Sequence, residues 1–105
     1  MRTKLHDITD IVRSKNSGPY ELTFDIMFKD YSRFRKVCDA KVINEELVCG
    51  LYKIRPEDIV NIVEFSPANA IKITIRRPLV SGDPGETDVY GAQQHAPLLD
   101  LEFDL

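Results

Sequence analysis

Alternation of large apolar and polar residues at period two marks several stretches of this chain, and helical spacing marks two more. Between residues 20 and 28, Leu22, Phe24, Ile26 and Phe28 alternate with Glu21, Thr23, Asp25 and Met27, the signature of a half-buried strand. Asp25 stands out there because bulky residues flank it, although a solvent-facing carboxylate is the ordinary expectation at such a position. Residues 59–65 and 70–75 predict two more strands, and Ser66, Pro67, Ala68 and Asn69 between them predict a hairpin turn. In the second of these strands Ile71, Ile73 and Ile75 face one side, and Lys72, Thr74 and Arg76 the other. Over residues 97–105, Leu99, Leu101, Phe103 and Leu105 alternate with Asp100, Glu102 and Asp104, predicting a last strand.

Two helices are expected between the first strand and the hairpin. Asp30 is a natural N-cap, followed by Tyr31, Phe34 and Val37 or Cys38 on one stripe with Arg33, Arg35 and Lys36 toward solvent. Asn44 caps a second helix in which Glu45 and Glu46 suit the positive end of the dipole and Leu47, Val48 and Leu51 form the apolar face. That helix ends near Tyr52, and Arg55, Pro56, Glu57 and Asp58 turn the chain out of it. Ahead of the first strand, Leu5, Ile8, Ile11 and Val12 suit a short helix or an irregular segment after a brief strand. Residues 13–19, rich in turn formers, predict a loop.

The order strand, helix, helix, hairpin, long loop, strand gives an α+β chain with a four-stranded, mainly antiparallel sheet. Two or three helices would cover one face, as a two-layer sandwich. This is a ferredoxin-like variant in which the long loop takes the place of the second crossover helix.

Composition narrows the class. The chain has 105 residues, enough for one domain spanning 1–105. A net charge of −3 and a pI near 5.3 argue against a nucleic-acid binder, which would carry a basic excess or stripe. No apolar run approaches the roughly 18 residues of a membrane span. The opening MRTKLHDITD turns polar too early for a signal peptide, so a cytoplasmic location is expected. Cys38 and Cys49 lie within the predicted helices with no CxxC spacing, which reads as structural thiols and gives no metal signature. His6 carries no assigned role.

Residues 76–95, RRPLVSGDPGETDVYGAQQH, break the pattern. They hold two Arg, three acids, three Gly, two Gln and a His, with few large apolar residues, in a connection long enough to be functional. Ser81, Gly82 and Gly85 around the Asp83-Pro84 step can present successive amides to an anion. Arg76 or Arg77 can clamp a carboxylate or phosphate, and Tyr90, Gln93 and Gln94 add hydrogen-bonding groups. His95 can move a proton near neutral pH, with Asp83 or Asp88 to orient it. In the 13–19 segment, Lys15 and Asn16 are candidate anion ligands that would support this loop. No metal ligand set and no particular cofactor is indicated.

Two segments, VRSKNSGPYELTFDIMF and SGDPGETDVYGAQQHAPLLDLEF, resemble domain-of-unknown-function family 4387, a small protein or domain found with AtuA-type proteins of acyclic terpene utilisation. The resemblance runs from about Leu5 to Phe103. It implies a small subunit or detached domain that acts with a larger AtuA-like partner in catabolism of organic acids or acyl-CoA esters. No catalytic residues come with it. Under this reading residues 76–95 contribute a polar loop to a shared site for a small anionic substrate. The alternative is an independent, oligomeric lyase or hydratase using His95 and Asp83 or Asp88 as acid and base. A plain self-assembling module is a third possibility, since the edges of such a sheet can pair between copies.

Overall fold

The computed structural model describes residues 2–18, 20–76, 98 and 101–104. Six strands and two helices lie among them: β1 (Arg2–Lys4), β2 (Thr9–Gly18), β3 (Glu21–Phe28), α1 (Tyr31–Ala40), α2 (Glu45–Tyr52), β4 (Ile59–Phe65), β5 (Ala70–Arg76) and β6 (Glu102–Asp104). The chain is α+β, with a four-stranded antiparallel sheet in the order β2-β3-β5-β4. Strands β3 and β4 run in the same direction with β5 between them, so α1 and α2 lie in a split β-α-β connection.

Both helices begin as their sequences require. The Asp30 carboxylate accepts from the Arg33 amide at 2.8 Å, and Asn44 Oδ1 accepts from the Leu47 amide at 2.9 Å. Each helix ends on a lysine in the left-handed region, Lys41 at φ 54° and Lys53 at φ 55°. One face of the sheet carries Leu22, Phe24 and Ile26 on β3 opposite Ile75, Ile73 and Ile71 on β5. Tyr52 of α2 lies 4.7 Å from Phe24, and Phe34 of α1 lies 6.1 Å from Phe28, ring centre to ring centre. The helices therefore cover this apolar face, and Leu5, Ile8, Leu98 and Phe103 join the same core.

The sheet departs from the sequence reading at both ends of the chain. Residues 13–18, expected as part of a loop, are the second half of β2, which pairs with β3 from Thr9↔Phe28 to Gly18↔Glu21. Their turn-forming character is overridden by cross-strand hydrogen bonding. The inward positions are filled by Val12, Ser14 and Asn16, so the alternation is real but too polar to read as a strand. Two irregularities in register, between Thr9 and Ile11 and between Asn16 and Gly18, break the pattern further. The last strand, expected in the main sheet, comprises Glu102–Asp104 among the described residues, and pairs instead with β1 in a separate two-stranded sheet. The sheet position open to it beside β3 is occupied by β2.

Candidate functional site

The face of the sheet away from the helices carries four cross-strand rows, one of them apolar, with Ile11, Met27, Ala70 and Phe65. Of the other three, Glu21 and Arg76 form the first; Lys15, Thr23, Thr74 and Asn61 the second; Arg13, Asp25, Lys72 and Val63 the third. Alternation puts every one of these side chains on the face opposite Phe24 and Ile73, and none of the described helices packs there. Four cations stand on it against two carboxylates, although the chain as a whole is acidic. Arg13 Nε donates to Asp25 Oδ2 at 3.0 Å. Among the described residues, Lys15, Lys72 and Arg76 form no ion pair.

Asp25 is the unexpected member. Its position in the sequence predicts a solvent-facing carboxylate; the residue is 4% exposed. Mid-strand in β3, an inner strand of the sheet, it has a cation as its cross-strand neighbour on each side. One of its oxygens takes the Arg13 bond, and the other, Oδ1, is buried without a hydrogen-bond partner. An acceptor left this way costs about 1–3 kcal/mol. Beside it, the hydroxyls of Thr23 and Thr74 lie 3.3 Å apart. The sequence held one signal for this, a carboxylate between bulky residues in a strand that is otherwise apolar and uncharged at its centre.

Of the residues singled out from sequence, three are described. Lys15, Asn16 and Arg76 come together at one end of the sheet, since Asn16 pairs with Leu22, Leu22 with Ile75, and Arg76 with Glu21. Lys15 and Arg76 point to the open face, and Asn16 to the core face. Arg77, Ser81, Gly82, Asp83, Gly85, Asp88, Tyr90, Gln93, Gln94 and His95 lie outside the described residues. His6 pairs with Asp7 at 3.0 Å.

A concavity of about 410 Å³ opens between the end of α1 and β4, floored by Val37, Ile62 and Ile71 and rimmed by Lys41, Asn44 and Glu64. Cys38 lies at its side. Burial, and then the Glu64 carboxylate, push the Cys38 thiol up to about 11, which keeps it protonated and unreactive at neutral pH. The rim acid Glu64 is engaged by Arg35 at 3.7 Å. Cys38 and Cys49 are both free thiols, the first buried and the second half-buried. Among the described residues no cluster of three His, Cys, Asp or Glu side chains can hold a metal ion, and no helix is long and apolar enough to cross a membrane.

Fold and face together define a small α+β protein whose antiparallel sheet buries one side under helices and turns a cation-rich side outward. Residues 5–102 match the family described as Domain of unknown function (DUF4387), and the chain belongs to it. No curated protein and no solved structure gives a match.

Proposed function

We propose that this protein is a binding subunit for small carboxylates, presenting the outer face of its sheet to a site shared with a larger partner, to which the polar residues 76–95 also contribute. The observation that carries the reading is the gathering of Arg13, Lys15, Lys72 and Arg76 on one face of an acidic chain. A carboxylate, free or as part of an acyl-CoA ester with its phosphates, is the ligand class such a face attracts. Its architecture is a two-layer, ferredoxin-like arrangement, and its partner is the AtuA-like protein that the sequence resemblance implies. The work of the pair is catabolism of organic acids or their CoA esters. An open sheet face has too little enclosure to hold a small substrate by itself, which favours a site completed by a second protein.

The direct test is affinity purification of the tagged protein from its native host. A large AtuA-like protein in stoichiometric amount is the expected result. Recovery of this chain alone, as a homo-oligomer, overturns the subunit reading. One observation favours that second outcome: β4 is an edge strand whose Val60, Val63 and Phe65 are exposed, and such an edge can pair between copies.

A further inference from the structure

The two edges of the main sheet are unlike each other. Strand β2 closes one side, with register irregularities near both its ends and Arg13 and Lys15 along its outward row. Bulges and charged side chains are the usual means of keeping a sheet edge from pairing with another chain. Strand β4, at the other side, lacks this protection. Its register irregularity lies between Ile59 and Asn61, and from Asn61 to Phe65 it pairs with β5 without a break. The one charge in that run, Glu64, is engaged by Arg35 of its own chain at 3.7 Å. Val63 and Phe65 are 44% and 43% exposed, and among the described residues no strand pairs with the far side of β4. On the helix side, the concavity between α1 and β4 leaves room for a further strand. We propose that β4 pairs antiparallel with β4 of a second copy, about a two-fold axis near Val63, so that the two sheets become one.

Charge decides among the edge pairings open to two copies. Pairing β2 with β2 sets the outward cations Arg13 and Lys15 against those of the other copy. Pairing β2 with β4 brings the same cations toward Lys72, the neighbour of Val63 on β5, and leaves one edge of each kind free. Such a head-to-tail contact repeats without closing. Pairing β4 with β4 opposes Asn61, Val63 and Phe65 to their own counterparts on the open face, and none of these is charged. With Val63 at the axis, Glu64 stands across from Ile62 of the second copy rather than from its Glu64. The unprotected edges are then used up, the protected β2 strands lie outermost, and assembly stops at two. The pairing satisfies the backbone groups of β4 that point away from β5 and removes Val63 and Phe65 from water. It extends the sheet sideways and leaves Arg13, Lys15, Lys72 and Arg76 uncovered. The dimer is therefore independent of the carboxylate reading, and a larger partner can still meet the open face.

Sedimentation equilibrium on the purified full chain tests this. A dimer is expected, with no larger species as concentration rises. Val63→Lys places like charges across the axis and removes the apolar contact, and should raise the dimer dissociation constant about a hundredfold or more. Ile11→Lys alters an exposed apolar residue on the same face at the β2 edge, and should leave the constant unchanged. Circular dichroism checks that both variants fold. If Val63→Lys does not, hydrogen exchange on the unaltered chain decides: dilution should speed exchange at alternate amides of residues 61–65 and leave those of β2 as they were. A monomeric chain overturns the proposal. So does a dimer that survives Val63→Lys or is broken by Ile11→Lys, or a series of oligomers that grows with concentration. None of these outcomes bears on the carboxylate face, whose failure would be read in ligand binding instead.

Discussion

At the scale of single residues, the pairing of Arg13 with Asp25 sets the character of the open face. Arg13 is half exposed while the Asp25 side chain is nearly enclosed, so the two ends of the bond carry different risks. Removing Arg13 leaves a buried carboxylate with neither oxygen paired. Arg13→Met should therefore cost about 1–3 kcal/mol in denaturant unfolding, more than a surface ion pair warrants. The double variant Arg13→Met with Asp25→Leu should recover much of that loss, because it removes the unmatched charge along with its partner. A double variant less stable than Arg13→Met would mean that Asp25 is held by contacts other than Arg13. Cys38 gives a second residue-scale prediction. Its folded thiol is raised to about 11 from the ordinary 9.0, so the folded state prefers the protonated form. That preference is complete below pH 9 and is lost as pH rises through about 11, and Cys38→Ala should flatten the alkaline decline in stability across this window.

At the scale of elements, the two helix caps have the same geometry and different chemistry. Asn44→Ala should cost about 1 kcal/mol at any pH. Asp30 behaves otherwise, because its bond from the Arg33 amide holds its carboxyl below the usual 3.8. A depressed folded value contributes stability above the unfolded one and loses it as pH falls through the folded one. The penalty of Asp30→Ala should therefore fade on acidification below about pH 4, while that of Asn44→Ala persists; thermal melts at pH 7 and pH 3 check this. These caps, the stripe of Phe34, Val37 and Cys38, and the β4–β5 hairpin were legible in the sequence because each is fixed by neighbours three or four positions away or by a local turn. Strand β2 was not legible. Ser14 and Asn16 occupy inward positions, and only pairing with β3 makes Arg13 and Lys15 into one outward row. The short pairing of Glu102–Asp104 with β1 joins the two ends of the chain, and no local pattern specifies such a contact. Asp25 stands out in the sequence, but its burial depends on neighbours from two other strands.

At the scale of the whole molecule, the sheet separates two tasks. One side is given to the core, with Phe24, Ile26, Ile73 and Ile75 almost wholly buried. The other is free to carry charge, and it carries positive charge on a chain whose total is −3. Attraction of an anion to exposed cations is screened by salt, with a Debye length of about 10 Å at 0.1 M. Carboxylate binding should weaken severalfold between low and physiological ionic strength, whereas occupation of the apolar-floored concavity beside α1 should not. The measurement that tests the account most directly is a titration of the isotope-labelled full chain with butanoate at low salt, followed by amide chemical shifts. Perturbations should centre on Arg13, Lys15, Thr23, Lys72 and Thr74 and be reversed by added salt. Perturbations confined to Cys38, Lys41 and Glu64, or none at all, would contradict the carboxylate face.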